Sequence, residues 1–209
     1  MYTFRPFLVK LVPKVRLRGL GLIGLAIVAF VVFLAIFAPF LTPYDPTKSV
    51  APSLLPPSWE HPFGTNKVGQ DMWSRIVYGA RTILAVVFLS TIVSMAIGVP
   101  LGLISGYVGG VLDRVLAMIM DAIYAFPSLI LAIAIAAAMG PGIINTAISI
   151  AIVYVPTYFR MVRGQTLSIK EQLYVEAARA IGAKTTTILV RYIFPNVISV
   201  IAVVFTLSV

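Results

Sequence analysis

Residues 20–41 run from Leu20 to Leu41 without a single charge. As an α-helix this run would extend roughly 33 Å, enough to cross a bilayer core of about 30 Å. The apolar region of a cleaved signal peptide is shorter, about 7–15 residues, and is followed by a small-x-small cleavage site. This run is longer and lacks such a site, so it predicts an uncleaved first span. Residues 1–19 before it carry Arg5, Lys10, Lys14, Arg16 and Arg18 and no acid.

Backbone polar groups in lipid have no water to bond, so long apolar segments must become helices or close into barrels. Further apolar runs cover residues 83–106, residues 115–139 with Pro127 inside, and residues 143–159 with Pro156 near the end. A fifth run begins at Asn196 and reaches Val209 with fewer than the ~20 residues a span needs, so further chain is expected beyond it. The 209 residues are 60% hydrophobic and 11% charged, against about 25% charged in soluble domains. The expected fold class is an all-α polytopic membrane protein. There is no cysteine, which excludes disulfides, thiolate metal sites and thiol catalysis. The net charge of +9 reads as basic loops held on the cytoplasmic side rather than as a nucleic-acid footprint.

Residues 42–82 are polar and rich in proline, and form an expected external loop. Asp71 is placed to cap a short helix holding Trp73, Ile76, Val77 and Tyr78, whose aromatics suit the membrane interface. In the second run Ser90, Ser94, Gly98, Gly102 and Gly106 recur every four residues, a small-residue face that lets another helix approach. Asp121 lies inside the third run. A carboxylate there either marks a functional polar site or bonds a neighbouring helix or headgroup.

Orientation follows from the basic residues. With the N-terminus in the cytoplasm, Arg114, Arg160, Arg163, Lys170, Arg179, Lys184 and Arg191 join the N-terminal cluster inside, and only Lys48, Lys67, Arg75 and Arg81 fall outside. Residues 160–195 then form a cytoplasmic loop. In it, Ser168 and Glu171 have capping-box spacing and predict a helix start. Leu173, Tyr174, Ala177, Ala178 and Ile181 make one apolar face, Gly182 can end the helix in a left-handed cap, Thr185 can open a second short helix, and Pro195 fits poorly inside any helix that follows. Such a helix could lie on lipid, order a loop, or dock in a groove of another protein, which an alanine-centred face suits.

The string VEAARAIGA followed by ILVRYIFPN resembles the cytoplasmic EAA loop of ABC-importer permease subunits, through Glu176, Ala177, Ala178, Gly182, Ile188, Leu189 and Pro195. The string HPFGTNKVGQDMWSRIVYGARTIL resembles the segment before the second span in the dipeptide, oligopeptide and nickel branch, with Asn66, Gln70 and Ile83 where that branch usually has Asp, Arg and Ser. The resemblance implies a permease-type helical bundle of six spans, of which about five are present. It divides the chain into a basic segment at 1–19, a first span at 20–41, an external loop at 42–82 and a permease core at 83–209. It implies a multi-pass subunit of a bacterial or archaeal cell (inner) membrane that passes peptides or nickel. The implied partners are a second homologous permease, two ATP-binding subunits and an external solute-binding protein. ATP and Mg would be used by the ATPase partner, and the chain itself carries no GxxxxGK[ST] phosphate loop. Leu173, Tyr174, Glu176, Ala177, Ala178, Ile181, Gly182 and Pro195 would then couple ATPase motion to the spans.

Two other classes fit the residues less well. An intramembrane aspartyl protease would need Asp113 and Asp121 in near contact, but on one helix they stand roughly 12 Å apart along the axis. His61, the only histidine, has no serine or metal-ligand set beside it and reads as a loop residue. A passive channel or membrane scaffold would need no ATPase-docking helix.

Overall fold

A computed structural model describes residues 19–208. The basic segment expected at 1–19 lies outside the described residues except for Gly19. The chain divides into two compact units between Arg81 and Thr82.

The first unit contains α1 (Gly19–Leu41) and the loop that follows. The side chains of α1 that face outward include Leu22, Ile27, Phe30 and Phe40, a helix apolar all round as a span must be. The loop is held by side chains rather than by regular structure. Thr65 donates its hydroxyl to the Pro52 carbonyl at 2.7 Å and accepts the Leu55 N–H at 2.9 Å. Asn66 Oδ1 accepts the N–H groups of Val68 and Gln70. The indole N–H of Trp73 reaches back to the Leu41 carbonyl at 3.0 Å.

Asp71 opens α2 (Met72–Val108). One carboxylate oxygen accepts the Ser74 N–H at 2.7 Å, the bond of an N-terminal cap. The other meets Nδ1 of His61 at 2.9 Å, with both side chains buried. His61 is thus a buried partner of the cap, and Tyr44 stacks on its ring at 4.9 Å. Burial pushes the Asp71 carboxyl up, but the bonds from Ser74 and His61 outweigh it and hold the group below its ordinary range. Stability from a depressed carboxyl is present above the unfolded value of about 3.9 and is lost as pH falls through the lower folded value. The loop is therefore expected to lose protease resistance as pH falls below about 4. Asp71→Ala should loosen it at neutral pH, at a cost of about 1–2 kcal/mol for the cap alone.

The expected interfacial helix and second span are one element. α2 has 37 residues and is roughly 55 Å long, so Trp73, Ile76 and Val77 occupy its first turns. Pro100 lies inside it.

In the second unit, α2 ends at paired glycines. Gly109 and Gly110 have φ of 70° and 64°, a left-handed pair that turns the chain sharply into α3 (Gly110–Tyr124). The expected third span, residues 115–139, is not one helix. It breaks at residues 125–127 between α3 and α4 (Ser128–Met139), and the two halves are bent by 88°. Pro127 has no N–H to continue α3, and it biases Phe126 away from the helical region. Asn145 closes the next turn by donating to the carbonyls of Met139 and Gly140 at 2.8 and 3.2 Å.

α5 (Ile143–Lys170) is the hub of the unit. It carries Pro156 internally and runs well past the expected end at residue 159. Its Tyr158, Val162 and Ile169 share a buried cluster with Val99 of α2 and with Ile188, Ile193, Val197 and Val204, while its Val155 and Phe159 pack with Met120 of α3. α6 (Leu173–Ala180) follows, then α7 (Thr185–Thr187), a π-helical stretch at Ile188–Ile193, and α8 (Phe194–Ser208). The last three form one continuous helix, Thr185–Ser208. Pro195 sits inside it, contrary to expectation. The wider π turn just before it absorbs the bond that the proline cannot donate.

Four helices among the described residues are long and apolar enough to cross a membrane, and the bent pair makes a fifth candidate. The chain is a multi-pass all-α membrane protein.

Candidate functional site

The small residues of α2 stand against α5. The Ser94 hydroxyl donates to the Ala151 carbonyl at 3.0 Å. A Cβ built at Gly98 would lie 2.7 Å from Tyr158 Cβ and from the Val155 carbonyl oxygen, and one at Gly102 would lie 2.7 Å from the Phe159 carbonyl oxygen. One at Gly106 would lie 2.8 Å from Thr166 Cβ. These glycines are open space that α5 fills, and backbone touches backbone along the seam.

Two aspartates of α3 each meet an arginine of α5. Asp113 accepts two bonds from Arg163, at 2.5 and 2.7 Å, and a third from Ser105 of α2 at 2.5 Å. One carboxylate thereby ties three helices. Asp121 accepts Arg160 Nη2 at 2.7 Å, and the same guanidinium lies 4.2 Å from the centre of the Tyr124 ring. The two carboxylates thus have separate cationic partners and do not form a proton-sharing pair. The sequence placed Arg160 and Arg163 in a loop. In the structure they are one turn apart on a helix, and α3 presents its aspartates two turns apart to meet them.

α6 is the second concentration of candidate residues. It begins later than the Ser168–Glu171 spacing implied. Ser168 is still inside α5 and donates to the Gly164 carbonyl at 3.3 Å, and Gln172 is the N-cap residue without a side-chain cap. The end of α6 is sharply built. Gly182 has φ of 79°, its N–H bonds the Arg179 carbonyl, and the Ala183 N–H bonds the Ala178 carbonyl, both at 3.0 Å. These are the two bonds of a Schellman cap. Glu176 lies in the first turn and Arg179 in the last, each at the end that the helix dipole favours. Arg179 also approaches the Tyr107 ring at 5.6 Å.

The expected docking face divides in two. Val175 is fully buried and Ala178 is only 2% exposed, in one core cluster with Ile169, Ile188 and Ile193. Ala178 therefore faces the chain's own interior and is not free to enter a partner. Leu173 and Ile181, each 82% exposed, stand with Ala177 at intervals of four residues on the open side. Tyr174 is half exposed and its hydroxyl accepts from Asn196 Nδ2 at 3.2 Å. Pro195, 13 residues beyond the Gly182 turn, is exposed on α8 and is not part of this face.

Residues 98–209 match the family of the "Binding-protein-dependent transport system inner membrane component", and residues 17–57 match the "N-terminal TM domain of oligopeptide transport permease C". The chain is 42% identical over 196 residues to the dipeptide transport system permease protein DppC of Alkalihalophilus pseudofirmus, covering 93% of this chain and 64% of that protein. It is 40% identical over 184 residues to the glutathione transport system permease protein GsiD of Pectobacterium atrosepticum, covering 87% and 61%. With GsiD of Escherichia coli it shares 39% identity over 198 residues, covering 94% and 65%. The chain thus spans less than two thirds of the length of these curated relatives.

Proposed function

We propose, from the family of binding-protein-dependent transport system inner membrane components to which the chain belongs, that it is a permease subunit of an ATP-driven importer of short peptides. The names of the similar proteins, dipeptide and glutathione permeases, favour peptides over nickel. The observation that carries the coupling role is α6: a short, rigidly capped helix, sunk on one side into the bundle core and open on the other along Leu173, Ala177 and Ile181. Force applied to the open face reaches α5 and α8 through Val175 and Ala178 without passing through a flexible joint. The complete assembly has a second homologous permease, an external solute-binding protein, and two ATP-binding subunits that hold ATP and Mg and dock on α6. Residues 171–184, between the candidate spans Ile143–Lys170 and Thr185–Ser208, face the cytoplasm with Arg179 and Lys184.

The test uses the complete permease co-assembled with its partners in proteoliposomes. Dipeptide uptake is expected only with ATP and binding protein together. Because the described sequence has no cysteine, Ser53→Cys should react with an impermeant maleimide from outside, and Lys170→Cys only from the ATPase side. Peptide flux that ignores ATP would replace this reading with a passive channel.

A further inference from the structure

A cavity of about 310 Å³ opens at the break between α3 and α4. Its walls include Tyr124, Phe126 and Ser128 from the bend and Tyr154 and Thr157 from α5, and the Tyr124 hydroxyl lies 3.3 Å from that of Thr157. The volume is at the lower end for small-molecule sites, and aromatic walls with a few hydroxyls are the usual lining of one. Arg160 extends the same face of α5, three residues beyond Thr157 and seven beyond Val153, another wall residue. Its guanidinium covers the Tyr124 ring at 4.2 Å, and Asp121 pairs with it at 2.7 Å.

The two aspartate–arginine pairs differ in kind. Asp113 is 14% exposed and has three bonds from two helices, so it is a strut. Asp121 and Arg160 are 64% and 48% exposed and share one bond. A pair with a single bond and open flanks holds its partners less firmly than the three-bonded Asp113 tie. Opposite charges in candidate spans, next to a cavity whose wall residue Tyr124 one of them covers, mark a path for a polar solute.

We propose that this cavity binds a short peptide with free termini in transit. Arg160 takes its carboxylate, Asp121 takes its ammonium group, and the two charges close on each other when the cavity is empty. An extended dipeptide places its terminal charges about 7 Å apart, a separation that the long, half-exposed arginine side chain can reach by swinging away from Asp121. The hydroxyls of Tyr124, Ser128 and Thr157 are placed to bond the peptide group, and the tyrosine rings accept side chains without selecting among them. The inference rests on the reading of the chain as a peptide permease.

The experiment uses the complete assembled transporter with Val153→Cys, a wall residue that makes no bond to the peptide, as the reporter. Its labelling by maleimide is followed during turnover against increasing L-alanyl-L-alanine, its N-acetyl form or its C-amide. The free dipeptide should protect at a concentration at least tenfold lower than either blocked form, after correction for binding-protein affinity. Arg160→Gln should abolish the discrimination against the amide alone, and Asp121→Asn the discrimination against the acetyl form alone. Arg160→Lys, which keeps the charge, replaces Arg160→Gln if the latter does not assemble, and should retain the discrimination against the amide while Asp121→Asn still loses its own. Equal weakening for all three ligands, or protection unchanged in both variants, would overturn the assignment and show the pair to be a second strut. A wild-type assembly that moves no dipeptide with ATP fails at the earlier step, the permease reading itself.

Discussion

Gly102→Leu is expected to abolish assembly of the bundle, while Gly164→Ala, on the facing helix, leaves it intact. At Gly102 even a Cβ would stand 2.7 Å from the Phe159 carbonyl oxygen, 3.0 Å from Val162 Cβ and 3.1 Å from the Arg163 nitrogen. Two of those atoms are backbone and cannot rotate away. Relief requires α2 and α5 to separate, and their separation also strains the Ser105–Asp113–Arg163 tie, which depends on the same spacing. Overpacking a tight interior by one or two methylene groups costs about 1–3 kcal/mol. Gly102→Ala should fall in that range, and leucine, with three more carbons, well above it. Gly164 has nothing within 4 Å of its Cβ position, so alanine there removes unfolded-chain freedom and should be neutral or stabilising by up to about 1 kcal/mol. Thermal unfolding in detergent and recovery of monodisperse protein measure both. A Gly102→Leu protein that melts with the wild type would mean the seam is not close-packed.

The seam was half legible in the sequence. Serine and glycine every four residues announce a helix face that wants a close neighbour. The identity of that neighbour depends on Val155, Phe159 and Val162, Phe159 being 57 positions beyond Gly102, and spacing within one segment carries nothing about it. The aspartates show the same limit. Asp121 stood out as a charge in an apolar run, whereas Arg160 and Arg163 looked like the start of a basic loop. Hydropathy ends a span where charges begin, but a helix needs only its backbone bonds, and α5 continues for three turns into polar sequence. Their pairing with α3 is tertiary.

Proline was the other source of difference, because its effect depends on what the chain does around it. Pro127 broke a run that hydropathy drew as one span, because it has no N–H to continue α3 and biases Phe126 away from the helical region. Pro156 sits inside α5 without ending it. Pro195 is carried through by the π-helical stretch immediately before it. The left-handed turn at Gly182, by contrast, is a local matter between neighbours, and a local reading reached it.

The α6 helix gives the second large effect, and adjacent alanines divide it. Ala177→Trp adds an indole to the open side between Leu173 and Ile181, where the chain itself offers no obstacle. The permease should insert and accumulate normally, but the face can no longer lie flat in a groove. Loss of a central contact in an interface costs about 2 kcal/mol or more, and hence roughly a thirtyfold loss of ATPase recruitment. Ala178→Trp drives the same group into the cluster of Val175, Ile188 and Ile193, in which Ala178 is buried, so overpacking should deplete the protein itself. Leu173→Asp and Ile181→Asp should follow Ala177→Trp, because both side chains are open and a buried unpaired carboxylate at an interface is costly. Permease abundance in the membrane, ATPase co-purification and peptide-stimulated hydrolysis separate the two classes. A face that serves only lipid would tolerate Ala177→Trp, since indole is at home at a membrane surface. Wild-type hydrolysis in that variant would therefore remove α6 from the coupling path, and normal abundance of Ala178→Trp would contradict the burial on which the division rests.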